Sequence, residues 1–269
     1  ASRMNKVAAV IVPGQEPIVE GLRLIISHID APRLDLKPKP VYEDVDMAFL
    51  KTHYYGGIKK YQWLSRPLAL HGFVVKDDGR QVNLVLGESE DDPVLTIADL
   101  LPHLAQNVQA EKKVREAFPG EKLNLIVGSL PLGDEEVKER FKLGFLNLLN
   151  QKYGLVEEDF ISAEFEAVPA GRARDIGFDR GLIGAYAQDD RISAYTSLAA
   201  LLKTDKPIKT CLALFVDREE TGSDGATGAK SRFLEDILAD AFEALGQNPT
   251  SNALRSEERR VGKECRSRW

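Results

Sequence analysis

Short apolar runs bounded by turn residues mark the strands that this chain is expected to form. Residues 6–12 (KVAAVIV), 22–27 (LRLIIS) and 210–216 (TCLALFV) are almost continuously apolar, which predicts buried strands. Residues 192–202 and 229–245 instead carry apolar side chains at helical spacing and predict amphipathic helices. Strands that alternate with helices are typical of a parallel sheet covered by helices, so the pattern predicts an α/β fold.

The apolar stripe of each predicted helix indicates which side chains should face the core. The stripe of the first helix consists of Ile192, Tyr195, Leu198, Ala199 and Leu202, and that of the second consists of Phe233, Ile237, Leu238, Ala241 and Leu245. A third helix is predicted over residues 135–149, with its stripe at Val137, Phe141, Phe145, Leu148 and Leu149. We expect these three stripes to be buried.

The middle of the chain has a different, β-rich pattern. Residues 68–75 and 82–86 flank Asp78-Gly79, and an Asp-Gly pair between two apolar runs is a strong hairpin signal. Strands are also predicted at 123–127 and 163–167. We therefore predict an α/β domain in two parts, residues 1–44 and 162–252. An inserted β-rich domain, residues 45–161, lies between the two parts, and a separate tail, residues 253–269, follows them.

Composition narrows the class of protein. Apolar residues make up 43% of the chain and charged residues 29%, as in a folded globular protein. No apolar run approaches the roughly 20 residues that a membrane-spanning helix needs, and the first residues lack a signal-peptide pattern. Cys211 and Cys265 are too few for a disulfide framework or a cysteine-based metal site, so a cytoplasmic location is expected.

The net charge of −6 is unevenly distributed along the chain. Residues 255–269 carry five Arg, one Lys and three Glu, or +3, which leaves −9 for the remainder. Nucleic-acid binding depends on clustered Lys and Arg that neutralise phosphates. The acidic body therefore argues against nucleic acid as the main partner.

Polar residues cluster at the ends of the predicted strands and at the start of a helix. They are His28 and Asp30 after the second strand, Asp189 and Asp190 before the helix at 192, and Glu219 and Glu220 after the strand at 210–216. Because ligands of open α/β sheets bind beyond the carboxyl ends of strands, these side chains form a candidate site for a divalent metal. Taken one at a time, each has a plainer interpretation, as a loop polar residue, a helix cap or a solvated acid.

A phosphate-binding loop is the competing interpretation of the segment TGSDGATGAKS. Such a loop needs adjacent Gly and Lys so that backbone amides and the Lys amine converge on the phosphates. Here Ala229 separates Gly228 from Lys230, and Asp217, Glu219, Glu220 and Asp224 would repel a phosphate. The sequence therefore disfavours nucleotide binding.

Four blocks together make the chain resemble the aspartyl aminopeptidase/aminopeptidase I zinc metallopeptidases, in particular the bacterial ones. The blocks are HIDAPRLDLKPKP, YYGGIKKYQWLSRPLALHG, GAYAQDDRISAYTSLAALL and FVDREETGSDGATGAKS, and the resemblance covers roughly residues 5–248. It implies a zinc-exopeptidase-like mixed sheet with helices on both faces, interrupted by an inserted β-rich dimerisation domain. It also implies peptide substrates, two zinc ions per subunit, and dimers that assemble into a homo-dodecamer.

The resemblance also implies a role for each candidate residue. His28 and Glu220 would be zinc ligands, and Asp189 would bridge the two ions. Asp30 would hold the imidazole of His28, as carboxylates commonly hold metal-bound histidines. Glu219 would be the general base, and His103 would reach into the active site of the neighbouring subunit.

The chain also departs from the family pattern. A further Asp ligand and a last His ligand are expected after residue 245, and neither is found there; residues 255–269 match nothing in the family. The sequence therefore predicts a truncated enzyme with a foreign tail. We expect this truncated chain to be inactive. The alternative function is a catalytically inactive structural or assembly module that keeps the fold.

Overall fold

A computed structural model describes residues 1–4 and 6–248 of the chain. Within these residues, strands β1–β12 span Ser2–Arg3, Val7–Val12, Leu22–His28, Arg33–Asp44, Met47–Tyr55, Leu68–Val75, Gln81–Leu86, Leu125–Gly128, Glu164–Pro169, Arg174–Ile176, Leu182–Gly184 and Thr210–Val216. Helices α1–α5 span Pro102–Ala105, Val114–Ala117, Arg140–Tyr153, Gln188–Leu202 and Phe233–Ala244. Short 3₁₀ turns span Ile18–Glu20, Lys60–Trp63, Gly120–Lys122, Glu157–Ile161 and Glu219–Thr221. Among the helices of the described part of the chain, none is long and apolar enough to cross a bilayer.

The chain divides into two compact units. The flanking unit comprises Ala1–Ala31 and Ala187–Trp269, and the inserted unit comprises Pro32–Tyr186. These boundaries differ from the predicted ones at residues 44/45 and 161/162. The reason is strand pairing: β4 pairs with both β5 and β9, so β4 and β9 belong to the sheet of the inserted unit. The whole of the predicted tail, residues 253–269, lies outside the described residues.

The flanking unit is built on a mixed four-stranded sheet. Its strand order is β1-β2-β12-β3. Strand β12 runs antiparallel to β2 and parallel to β3. The three apolar runs thus form neighbouring strands, although β3 has exposed residues and is not buried along its length as predicted. The sheet is mixed, as the family resemblance implies, and not wholly parallel.

Strand β12 is buried on both faces because a helix covers each side of the sheet. Leu212, Leu214 and Val216 pack on one side with residues of α5. Ala213 and Phe215, which alternate with them, pack on the other side with residues of α4. The α/β fold with helices on both faces of a mixed sheet is therefore confirmed.

The predicted apolar stripe of α4 is only partly correct: Leu198 packs against the core as predicted, but three other residues do not. Ile192, Tyr195 and Leu202 are 57%, 72% and 70% exposed, whereas Ala194 and Leu201 are buried against the sheet. Helix α4 carries apolar residues around much of its circumference, so spacing alone permitted two faces. The small side chain of Ala194 lies on the face that packs, consistent with close approach of helix and sheet.

The stripe of α5 is largely as predicted. Phe233, Ile237 and Ala241 are buried, and Phe242, which the prediction omitted, is buried beside them. Leu245 follows the last residue of the helix and is partly exposed.

The inserted unit is a six-stranded antiparallel sheet with the order β7-β6-β9-β4-β5-β8. The predicted Asp-Gly hairpin is confirmed: β6 and β7 pair, and Lys76 and Arg80 close the turn with a backbone hydrogen bond of 2.9 Å. Strand β5 and the β10–β11 hairpin were not predicted. The ends of the unit meet, since the Tyr186 hydroxyl donates a 2.6 Å hydrogen bond to the carbonyl of Pro32.

Helix α3 begins at Arg140, five residues later than predicted. The Glu43 carboxylate of β4 accepts the backbone N–H groups of Phe141 and Lys142, at 2.8 and 2.9 Å. These are first-turn donors that the helix itself cannot satisfy, so a residue 98 positions away in the chain caps the helix. Val137 precedes the helix and is exposed, and Leu148 is exposed within it, while the other stripe residues are buried or pack against the core.

The adjacent leucines of α4 allow a direct test of its orientation. Leu201→Ala should lower the free energy of unfolding by about 2–5 kcal/mol, because it empties a buried site. Leu202→Ala should change it by less than about 0.5 kcal/mol, since that side chain is exposed. Urea unfolding followed by circular dichroism measures both. A larger loss in Leu202→Ala than in Leu201→Ala would mean that the sequence-predicted stripe faces the core.

Candidate active site

The strand register of the flanking unit brings two of the predicted polar clusters together. In the parallel pair of β3 and β12, Val216 is the register partner of His28. The chain after β3, with Asp30, and the chain after β12, with Glu219 and Glu220, therefore leave the sheet at the same edge. The start of α4 supplies Asp189 to the same place, as its 3.3 Å distance from His28 shows.

A buried carboxylate organises this edge of the sheet. Asp30 is only 5% exposed. Its Oδ1 accepts the backbone N–H of Glu219 and its Oδ2 accepts that of Glu220, each at 3.2 Å. Its Oδ1 also lies 3.3 Å from Nδ1 of His28. One side chain thus fixes both the imidazole and the Glu219–Glu220 segment.

The imidazole of His28 has two distinct sides. Nδ1 faces acceptors, namely the carbonyl oxygen of Asp30 at 3.1 Å and its carboxylate. Nε2 faces the other predicted site residues, Asp189 Oδ1 at 3.3 Å and Glu219 Oε2 at 3.8 Å. Because Nδ1 is engaged by acceptors, Nε2 is the nitrogen presented to the site.

Asp190 has a structural role that sequence reasoning missed. Asp189 and Asp190 have non-helical backbone angles, and the peptide bond between them is cis. The Asp190 carboxylate does not cap α4 but accepts the backbone N–H of His28 at 3.2 Å. The start of α4 is thereby attached to the end of β3, and the Ser27 and Ser197 hydroxyls, 3.3 Å apart, add a second link.

The site carries a dense negative charge. Burial, the largest influence on His28, lowers its pKa, but the hydrogen bond and charge of Asp30, with the charges of Glu219 and Asp190, outweigh it and raise the pKa to about 9. Burial also raises the pKa of Glu220, and the neighbouring charge of Glu219 raises it further. Such a field favours a cation.

The donor chemistry of the site fits zinc, which binds imidazole nitrogen and carboxylate oxygen. The side chains near Nε2 of His28 supply both atom types. Within residues 1–4 and 6–248, however, no three His, Cys, Asp or Glu side chains are arranged as a metal-binding group. The described residues therefore offer suitable ligands but not a complete coordination sphere.

Two further residues complete the description of the predicted and overlooked positions. His103 belongs to the inserted unit, in α1, where it is exposed. In the sequence Asp217 is one acid among several in a loop, but in the structure it is 5% exposed and accepts a hydrogen bond from the Thr227 hydroxyl. An acid directly after a buried strand was the only sequence signal for this contact.

The organising role of Asp30 can be measured in the metal-free chain. Asp30→Asn should lower the free energy of unfolding by about 1–3 kcal/mol, because the amide NH₂ would face a backbone donor and leave it unsatisfied. It should also accelerate hydrogen exchange at the amides of Glu219 and Glu220. Asp240→Asn, on the exposed side of α5, is the matched control and should change neither quantity. Unchanged exchange in Asp30→Asn would show that Asp30 does not hold the segment.

Known proteins share both the sequence and the fold of this chain. A family model for aminopeptidase I zinc metalloproteases (M18) matches residues 2–259. The probable M18 family aminopeptidase 1 of Clostridium acetobutylicum is 51% identical over 246 residues, which cover 91% of this chain and 53% of the relative. The crystal structure of an M18 aminopeptidase from Thermotoga maritima, 51% identical, superposes with a TM-score of 0.83 over 88% of this chain and 52% of its own.

A more distant structure, the mApe1 dodecamer of Saccharomyces cerevisiae, is 18% identical and has a TM-score of 0.67 over 90% of this chain and 54% of its own. At that identity it supports the fold alone. The chain spans about half the length of the curated relatives that it matches. The match of the family model and the identity to the Clostridium relative establish that the chain belongs to the M18 family of aminopeptidase I zinc metalloproteases.

Proposed function

We propose that this chain forms part of a zinc-dependent aminopeptidase that removes N-terminal residues from peptides. The observation that carries the proposal is the contact of buried Asp30 with both His28 and the backbone of Glu219 and Glu220. A metal ligand and a general base need fixed relative positions, and this carboxylate holds both segments. Membership of the M18 family supports the same activity.

In this proposal His28, Asp189 and Glu220 are the residues that would hold zinc, with Asp189 shared between two ions. When bound, the metal polarises the scissile carbonyl and lowers the pKa of a water molecule. Asp30 accepts a hydrogen bond from the Nδ1–H group of His28, which leaves the Nε2 lone pair facing Asp189 and Glu219. The negative field that surrounds His28 and Glu220 supports this assignment, because a divalent cation would relieve the repulsion between the carboxylates.

Glu219 is the general base of the proposed reaction. Its side chain is about half exposed at 47%, and its Oε2 lies 3.8 Å from Nε2 of His28, so it adjoins the ligand side of the imidazole while remaining open to water. The carboxylate takes a proton from the attacking water and returns it to the leaving amine as the peptide C–N bond breaks. Glu220 is the more buried of the pair, which suits a ligand rather than a base.

The proposal extends to assembly and location. We place the enzyme in the cytoplasm, in keeping with its two cysteines, and as a homo-oligomer that dimerises through the inserted unit. Around His103, the side chains of Leu100, Leu101, Leu104 and Val108 are 41–68% exposed. An exposed apolar group of this kind is typical of a protein interface.

Glu219→Gln tests the proposed base in a protein extended to the length of its relatives. The amide matches the carboxylate in shape but cannot accept the proton, so zinc content should stay nearly unchanged while turnover of an aminoacyl chromogenic substrate falls about 10²- to 10⁴-fold. Glu243→Gln, an exposed change on α5, is the matched control. Retention of most activity would place the base elsewhere, and an unsubstituted protein that binds zinc without releasing N-terminal residues would favour the assembly module.

Subunit mixing tests the proposed role of His103 across a dimer contact. Neither the Glu219→Gln subunit nor the His103→Ala subunit should be active alone. Heterodimers should regain part of the activity, because one of their sites combines an intact base with an intact partner histidine. Native mass spectrometry verifies that heterodimers form. If heterodimers form but show no recovered activity, His103 has only a structural role.

A further inference from the structure

We infer that Asp217 and Thr227 are positioning residues that clamp the loop carrying Glu219 and Glu220, an inference that rests on the function proposed above. The loop leaves the sheet after Val216, the last residue of β12, and returns toward Phe233, the first residue of α5. Both clamp residues are buried, Asp217 to 5% and Thr227 to 4% exposed. Neither was assigned a role in metal binding or proton transfer.

Two hydrogen bonds between Asp217 and Thr227 join the two sides of the loop at its base, which we call the neck. The Thr227 hydroxyl donates to Oδ2 of Asp217 at 3.0 Å, and the backbone N–H of Asp217 donates to the carbonyl of Thr227 at 3.1 Å. The nearest cation recorded at this carboxylate is the Arg218 guanidinium, whose Nε is 3.9 Å away. A buried carboxylate is stable only with hydrogen-bond donors, so the Thr227 hydroxyl supports both the loop closure and the burial of Asp217.

The loop is also folded tightly on itself above this neck. The backbone N–H of Ser223 donates to the carbonyl of Arg218 at 2.6 Å, and that of Lys230 donates to the carbonyl of Ser223 at 3.3 Å. A methyl group at Gly228 would lie 2.1 Å from the Ser223 carbonyl oxygen. The loop therefore has little room to rearrange while its neck stays closed.

The clamp acts on the candidate site through the amides of Glu219 and Glu220. Each amide reaches a different oxygen of Asp30 at 3.2 Å, already at the long end of the normal range. A displacement of roughly half an ångström would break both bonds, because N–H···O contacts beyond about 3.5 Å are no longer hydrogen bonds. The closed neck starts two residues before Glu219, so it limits where that segment can move.

Thr227→Val and Thr227→Ser form a matched pair that tests the clamp in the chain itself. Valine keeps the shape of threonine but removes the hydroxyl, whereas serine keeps the hydroxyl. Hydrogen exchange of the metal-free chain, read by mass spectrometry, should be about 10- to 100-fold faster at Glu219 and Glu220 in Thr227→Val. In Thr227→Ser it should remain close to that of the unsubstituted chain.

Ile237→Val in α5 is the control for general destabilisation, since it removes one buried methyl from the same unit without touching the loop. Faster exchange in Thr227→Val alone supports the clamp. Equal exchange at Glu219 and Glu220 in Thr227→Val and Thr227→Ser, or equal acceleration in Ile237→Val, overturns it. Zinc titration of a protein extended to the length of its relatives separates the two proposals: if the chain shows the expected exchange but the extended protein binds no zinc, the proposed function is contradicted and the clamp is left intact.

Discussion

The burial of one carboxylate, that of Asp30, is the constraint on which the candidate site depends. A desolvated carboxylate is unfavourable unless donors surround it, and Asp30 takes its donors from the imidazole of His28 and from two amides about 190 positions further along the chain. The same hydrogen bonds that compensate its burial therefore also join the two segments. Stability of the fold and geometry of the site rest on one set of contacts.

The parallel pairing of β3 with β12 makes this arrangement possible. A slip of one residue would separate Val216 from His28 and turn the side chains after each strand to the other face. The result is a site with a high density of like charge, since Asp30, Asp189, Asp190, Glu219 and Glu220 all influence His28 or its neighbours. Such crowding lowers the stability of a metal-free fold and is typical of sites that bind cations.

The sequence predicted the elements whose signals lie within one segment of the chain. It did not predict the features that depend on residues distant in the chain. Continuous apolar runs identified β2, β3 and β12, and the Asp78-Gly79 pair identified a hairpin, because each signal lies within its own element. The start of α3 depends on Glu43, and the unit boundary depends on the pairing of β4 with β9. Neither can be seen from spacing along one segment.

The same distinction applies to the candidate site. Strand ends are visible in a sequence, so His28, Asp30, Glu219 and Glu220 could be grouped before the structure was known. The hydrogen bond from the His28 backbone to Asp190 and the bond between Thr227 and Asp217 could not be predicted. Both use ordinary polar residues whose meaning comes only from what they face in the folded chain.

The contact between Tyr186 and Pro32 bears on the chain entropy that folding costs. These residues are 154 positions apart, and closing a flexible loop of that length costs on the order of 4–5 kcal/mol in chain entropy. When the inserted unit is folded, the contacts within its own sheet and core offset this loss of chain entropy. The folded unit then presents Ala31 and Ala187 as neighbouring chain ends, so β3 and α4 meet as if a short linker joined them. Pairing of β3 with β12 and α4 therefore costs less chain entropy when the inserted unit is already folded.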